Sequence, residues 1–363
     1  MNITELLEEF MLVPSPAGYE HEMAARLTGY FEKYCAGVTK DRLGNVIGTI
    51  EGRDPSLPTM MVFGHMDSIG MVVRKVEKNG YLRCDRLGGI PEKVLPGTEF
   101  LVRTEDRDWI PAVMGPKSYH IMSQEERNSV DKIATLALDL GAQSDEEVFS
   151  LGVQVGCPVV YKPRFNRLRN GLVSGTFIDN RGACACLVRL AELLHDAQPA
   201  CTVYIVGTVQ EEFNLRGAMM AARTVCPDIA VGLDVTLAGD TMDLNGYFSN
   251  RVGGGPGLQF FTFHSRGTLN GNLAHEPLAR RLRETAAANG IPLQRTTGVG
   301  MLTDGSYIQL EGMGVATVDM GFATRYTHTP VETCDPADIE GLAQLLMHTA
   351  AGMDASFPLG RLD

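Results

Sequence analysis

Two adjacent carboxylates, Glu211 and Glu212, end the apolar run Gly207-Thr-Val-Gln and open the segment Phe213-Asn-Leu-Arg-Gly217. Further acids and imidazoles stand at comparable points: His65 and Asp67 in Gly64-His-Met-Asp67, Asp179 before Asn180-Arg181, Asp234 after Leu233, and His328 in Tyr326-Thr-His-Thr-Pro330. Each alone is a weak signal, since a single His-x-Asp or Glu-Glu pair is ordinarily solvated surface. Together they constrain one another. If Asp179, Glu211, Glu212 and Asp234 converge within a few ångströms, the four like charges cannot all ionise without a large pKa penalty. Two divalent cations remove that conflict, and two imidazoles with three carboxylates suit zinc or a similar first-row metal. Asp179 is then the natural bridge, with His65 and Asp234 on one metal and Glu212 and His328 on the other. Glu211 is left unligated beside them, where a carboxylate can take a proton from metal-bound water; ions about 3.5–4 Å apart can share that water and polarise a carbonyl. Asp67, two residues from His65 and on the same face of an extended chain, is expected to hold the imidazole from behind.

For these groups to meet, the fold must bring distant strand ends to one edge. Residues 59–63 read as a strand running into His65, 172–178 as one ending at Asp179, 201–210 as one ending at the glutamate pair, 229–235 as one carrying Asp234, and 315–320 as one preceding His328. Helices are expected at 180–197, 217–225, 275–289 and 336–353, the last begun by Asp335-Pro336, an N-cap followed by Pro at the first helical position. This alternation predicts an α/β fold, a mostly parallel core sheet flanked by helices. Parallel strands present their carboxyl ends on one edge, where ligands bind. Ahead of this core come a helix at 3–13, stopped by Pro14-Ser-Pro-Ala-Gly18, and a second from about Glu20 whose Met23, Leu27, Phe31 and Cys35 form a buried stripe. Further strands are expected at 43–50 and 258–263.

After Gly70 the pattern changes to short strands with Gly and Pro between them. A hairpin is expected across Asn79-Gly80, with the pair supplying the positive φ angles of a two-residue turn, and strands at 98–104, 109–114 and 133–139. Ser144 with Glu147 reads as a capping box. Residues 71–164 are therefore expected to form a small β-rich, barrel-like domain inserted into a main domain of 1–70 plus 165–363.

At 363 residues the chain can bury a substantial core, and its net charge of -12 offers no footprint for nucleic acid or an anionic membrane. No run approaches the roughly 18 apolar residues of a membrane span, and the acidic N-terminus does not read as a secretory signal. The eight cysteines are scattered without Cys-x-x-Cys spacing, as expected of reduced thiols in a cytoplasmic protein. The remaining histidines, at 21, 120, 195, 264, 275 and 348, have no chemical context and are expected in surface or core roles, with His120 a possible lid or oligomer residue.

At the residues that carry the chemistry the chain resembles a known family, the tetrahedral aminopeptidases, peptidase family forty-two of the metallo class, which includes glutamyl aminopeptidases. The resemblance runs nearly end to end, through Pro16-Ala-Gly-Tyr-Glu20, Asp41-Arg-Leu-Gly-Asn45, Gly64-His-Met-Asp67, Ile178-Asp-Asn-Arg181, Thr208-Val-Gln-Glu-Glu212, Thr303-Asp304 and His328-Thr-Pro-Val-Glu332, and in the insertion through Gly88-Gly89 and Gly115-Pro-Lys-Ser-Tyr-His120. It implies a zinc-exopeptidase-like fold and two divalent metal ions per subunit, zinc foremost with cobalt or manganese as alternatives. It also implies Glu211 as general base, a non-proline cis peptide after Asp179, peptide substrates, and a homo-oligomer in which dimers formed through the insertion assemble to a dodecamer. Ser68, Asn180 and Phe213-Asn214 depart from the family pattern without replacing a ligand, so they bear on substrate choice. The reaction expected is removal of N-terminal residues by a metal-bridging hydroxide. Because members of the family have been labelled endoglucanases, glycan hydrolysis is one alternative; an inactive metal-binding assembly protein is another.

Overall fold

A computed structural model describes residues 1–264 and 271–361. The middle of its central sheet is four parallel strands in the order Val203–Thr208, Met60–His65, Ile229–Leu237 and Ala316–Thr324. Val46–Ile50 and then Gly37–Lys40 extend one side antiparallel, and Gly257–Phe263 begins the antiparallel pairing on the other. The apolar run Met60-Met-Val-Phe63 has to be buried on both faces, and it is. Met60 and Val62 join the core beneath the helices Ile3–Met11, His21–Tyr34, Ile178–Ala197 and Pro336–Ala351, whereas Met61 and Phe63 pack against Ala218, Ala221 and Ile308 on the opposite face.

The long helix Ile178–Ala197 presses on the sheet just behind the acidic strand ends. Small residues allow the approach: a Cβ on Gly182 would lie 2.1 Å from the Phe322 ring, and one on Gly64 would lie 2.6 Å from Ala183. At the start of this helix Asp179 and Asn180 leave helical geometry, and the peptide bond between them is cis, as the family resemblance implies.

A second sheet of five antiparallel strands follows the order Leu82–Leu87, Gly70–Val76, Pro158–Tyr161, Thr98–Arg103 and Trp109–Met114, with its own apolar cluster running from Ile69 to Phe177. Leu138 bridges one edge strand through Leu82 and Asp139 the other through Val113, which curls the sheet towards a barrel.

Four expectations need correction. Residues 172–178 contribute only Val173–Gly175, which pairs with Phe165–Arg167 and Glu332–Cys334 in a separate three-stranded sheet, because Phe177 takes a φ of 66° and turns the chain away. Residues 133–139 make the two bridges just described and no strand, since turn hydrogen bonds to Lys132 and Ile133 occupy the amides of Thr135 and Leu136. The Asn79-Gly80 turn is longer than two residues: Gly80 alone has positive φ and its N–H donates to Glu77, whose own N–H donates to Tyr81. Ser144 accepts the Glu147 N–H as a cap, but the Glu147 carboxylate accepts from Gln143 rather than from Ser144, so the box is half made; a complete box stands at Ser123 and Glu126.

Candidate metal centre

Three central strands and two flanking segments deliver the site. Met60–His65 ends on His65, Asp234 lies within Ile229–Leu237, and Glu211 and Glu212 follow Val203–Thr208. Asp179 arrives from the first turn of a helix rather than from the end of a sheet strand, and His328, with a φ of 65°, from the turn beyond Ala316–Thr324.

Asp179 is central. Its Oδ1 lies 3.2 Å from His65 Nε2 and its Oδ2 lies 3.5 Å from His328 Nε2. His65 Nε2 is 4.0 Å from Asp234 Oδ1, and His328 Nε2 is 3.6 Å from Glu212 Oε1. Ligands about 2.0–2.2 Å from a tetrahedral cation are themselves roughly 3.3–3.6 Å apart, so the spacings of 3.2, 3.5 and 3.6 Å are close to the edges of two such sites, and the 4.0 Å from His65 to Asp234 is wider. Among the described residues, His65, Asp179 and Asp234 form one group able to hold a metal ion, and Asp179, Glu212 and His328 another. Asp179 Oδ1 is buried with no hydrogen-bond partner, an orphan that a cation would satisfy.

The imidazoles are aimed from behind. His65 Nδ1 is 3.1 Å from the Asp67 carbonyl oxygen, and His328 Nδ1 is 3.0 Å from that of Gly89. Carbonyls only accept, so both rings carry the proton on Nδ1 and turn Nε2 towards the acids. The Asp67 side chain does something other than expected. Its Oδ1 stays 3.6 Å from His65 Nδ1, and the carboxylate instead accepts the N–H groups of Glu211 and Glu212, each at 3.0 Å.

Electrostatically the cluster is short of positive charge. Burial, reinforced by Asp234 and Glu212, raises Glu211 well above the ordinary carboxyl range; burial and Asp179 do the same to Asp234 and push Glu212 up to about 7. Burial opposes ionisation of His65, yet Glu211, Asp179 and their neighbours raise it well above its usual value. Only Asp179 is held low, His328 and His65 prevailing over its burial. Apart from Asp179, acids and bases alike therefore bind protons more tightly here, a deficit that divalent cations would fill. The donor set fits such ions.

Several residues around the site lay outside the sequence reasoning. The Glu332 carboxylate accepts the backbone N–H groups of both Asp179, at 3.1 Å, and His328, at 2.7 Å. Arg181, fully buried, donates to the carbonyls of Phe10, Val13, Met66 and Asp67. The motifs containing these residues were visible, but neither residue could be given a role without its partners. His264 was expected on the surface or in the core; it lines the cleft of about 370 Å³ over the acids, together with Asn214, Leu215 and Met301. Of the departures from the family pattern, Asn180 donates to the Leu233 carbonyl next to Asp234, Phe213 stacks under Arg216, and Ser68 bonds back to Ser15.

An α/β core thus carries two acid–imidazole groups able to hold metal ions at the carboxyl edge of its parallel strands, where ligands bind in such sheets. The family model of the M42 glutamyl aminopeptidases matches residues 44–345, and the chain belongs to that family. It is similar to the SgcX protein of Escherichia coli (strain K12), 34% identical over 99% of this chain and 96% of that one. It is also similar to the lysyl aminopeptidase of Pyrococcus furiosus, 31% identical over 96% and 98%. Among solved structures, the TET1 peptidase of Pyrococcus horikoshii, which can assemble into a tetrahedron or a large octahedral shell, superimposes with a TM-score of 0.86 at 28% identity, over 97% of this chain and 100% of that one. The protein is thus an aminopeptidase-family hydrolase acting on peptide bonds.

Proposed function

We propose that the protein removes N-terminal residues from peptides with two divalent ions, zinc foremost, of which His65, Asp179 and Asp234 would hold one and Asp179, Glu212 and His328 the other. The observation that carries this reading is the presentation of one Asp179 oxygen to each imidazole, at 3.2 and 3.5 Å. When bound, the ions supply Lewis acidity towards the scissile carbonyl and towards water, and offset the carboxylate charge. The chain does the rest. Glu211, whose Oε2 is 3.8 Å from His65 Nε2, takes the proton from the attacking water as the new C–O bond forms, then gives it to the leaving amine as the C–N bond breaks. Glu332 fixes the backbone of Asp179 and His328, and Asp67 fixes that of the two glutamates.

Glycan hydrolysis asks for carboxyl groups about 5–9.5 Å apart on either side of the bond. Neighbouring residues of which one faces a metal group do not serve that arrangement. An inactive binding site has no use for Glu211, which lies outside both metal groups. The five-stranded sheet serves dimerisation and assembly of dimers into a dodecamer in this reading, which is supported by the dodecamer of the similar PhTET1-12s structure and by exposed Tyr119 and Ile121 on the outer loop of the sheet. A cytoplasmic location accords with eight free cysteines.

A panel of aminoacyl anilides and a soluble glucan, each with and without chelator, tests the proposal. Anilide hydrolysis abolished by chelator and restored by zinc, cobalt or manganese is expected. Glucan hydrolysis that survives chelation, or silence on every anilide after reconstitution, would overturn it.

A further inference from the structure

The segment that carries the two glutamates is conformationally unfavourable by itself. Gln210, Asn214 and Leu215 have φ of 57°, 69° and 56°, a region that L side chains seldom adopt. It is held from outside by acceptors that share no sequence neighbourhood. The N–H groups of four consecutive residues are each taken by a buried side chain: Val209 by Asn45 Oδ1 at 3.0 Å, Gln210 by Glu20 Oε1 at 3.1 Å, and Glu211 and Glu212 by the two oxygens of Asp67.

Asn45 also closes the other end of the loop, its Nδ2 donating to the Gly217 carbonyl at 2.9 Å. The close approach of the two ends leaves no room for a side chain there, since a Cβ on Gly217 would lie 2.2 Å from the Val209 carbonyl oxygen. Asn45 is aimed by Asp41, whose Oδ2 accepts its amide and whose Oδ1 accepts three successive N–H groups from Leu43 to Asn45. Glu20 is anchored in turn: the oxygen that accepts from Gln210 also accepts the Gly18 N–H at 2.8 Å. None of these atoms faces the cleft.

We propose that Glu20 and Asn45 are positioning residues for the proton-transfer step: by fixing the backbone of residues 209–217 they hold the Glu211 carboxylate at the edge of the metal groups. The inference rests on the reading of Glu211 as the base. Small displacements suffice, because a shift of about 1 Å in a catalytic group can cost about a hundredfold in rate. The hydrogen bonds, not the charge, do this, since both N–H groups meet one oxygen of Glu20 that a glutamine would retain.

The test compares Glu20→Ala, Glu20→Gln, Asn45→Ala and Glu211→Gln in the metal-loaded enzyme, with metal content, kcat and KM on an aminoacyl anilide, and amide hydrogen exchange across 209–216. The expected result is a kcat at least tenfold lower in both alanine variants, KM within about twofold and metal content unchanged, faster exchange in 209–216, and kcat restored in Glu20→Gln. Asn45→Ala removes a different acceptor from the same loop, so the test survives if Glu20→Ala does not fold. Alanine variants that keep wild-type kcat while Glu211→Gln is inactive would overturn the positioning role alone. A Glu20→Gln variant as impaired as Glu20→Ala would overturn it as well, by showing that charge is what matters. Full activity in Glu211→Gln would instead remove the base itself, and the inference with it.

Discussion

The carbonyl oxygen of Gly89, a residue that follows the strand Leu82–Leu87 of the five-stranded sheet, stands 3.0 Å from Nδ1 of His328, and both residues line the cleft. That contact ties the orientation of a candidate metal ligand to a segment of a different sheet. The approach is close: a Cβ on Gly89 would lie 2.9 Å from His328 Cε1. Gly89→Ala should therefore displace the imidazole and weaken the ion held by Glu212 and His328, leaving the one held by His65 and Asp234. Metal analysis after dialysis should approach one ion per subunit; two tightly held ions would count against the assignment.

Glu332 acts on both ligand segments at once through its two oxygens. Glu332→Gln keeps the shape but turns a donor towards one of the two N–H groups. Loss of an outer partner of this kind typically lowers metal affinity by about 10–100-fold. Competition with a fluorescent chelator measures it, and an unchanged affinity would show that the backbone needs no such tether.

Arg181 is a stability residue rather than a chemical one. Its guanidinium donates to four buried carbonyls: Phe10 in the last turn of Ile3–Met11, Val13 in the loop after it, and Met66 and Asp67. Arg181→Met leaves the Val13 carbonyl without a donor, at roughly 1–3 kcal/mol, while the carbonyls of Phe10, Met66 and Asp67 keep Val13 N–H, the Ser15 hydroxyl and His65 Nδ1. A loss of about 1–3 kcal/mol in urea unfolding is expected, and no measurable loss would show that the site relaxes.

Asp338 gives a pH dependence away from the metal groups. Burial pushes its carboxyl from an ordinary 3.8 up to about 6, although it accepts the N–H groups of Gly253 and Gly255. With the folded pKa raised, the native state binds the proton more tightly than the unfolded chain. Stability from this group is therefore present near pH 4 and is lost as pH rises towards 6 and above. The stability of the wild type relative to Asp338→Asn should increase as pH falls from 7 to 4. A difference that is flat over that window would contradict the raised pKa.

What could be read from the chain follows the range of the interactions involved. The helix at Pro336–Ala351 announces itself through Asp335 and Pro336, and the buried strand Met60–His65 through an unbroken apolar run, because both signals are local. The glutamate corner was legible as chemistry because acids at the ends of parallel strands have few reasons to converge other than a cation. The strand Val173–Gly175 was misplaced because its partner, Glu332–Cys334, lies some 160 positions away and nothing local distinguishes the two sheets. Asp67 was assigned to the neighbouring imidazole by spacing, whereas its carboxylate is used by amides 144 and 145 residues further on. The same distance hid the roles of Glu20, Asn45 and Glu332, whose motifs were evident and whose partners were not.

Two adjacent acids divide the chemistry between them. Glu212 belongs to a metal group through its 3.6 Å approach to His328, while Glu211 lies outside both groups beside His65. Metal content and turnover of Glu211→Gln and Glu212→Gln, measured side by side, test this most directly. Glu211→Gln should retain two ions per subunit and lose turnover by about a thousandfold, within the range a general acid–base group with its electrostatic surroundings supplies. Glu212→Gln should lose one ion. Equal metal loss in the two variants, or a Glu211→Gln enzyme that still turns over, would contradict the account.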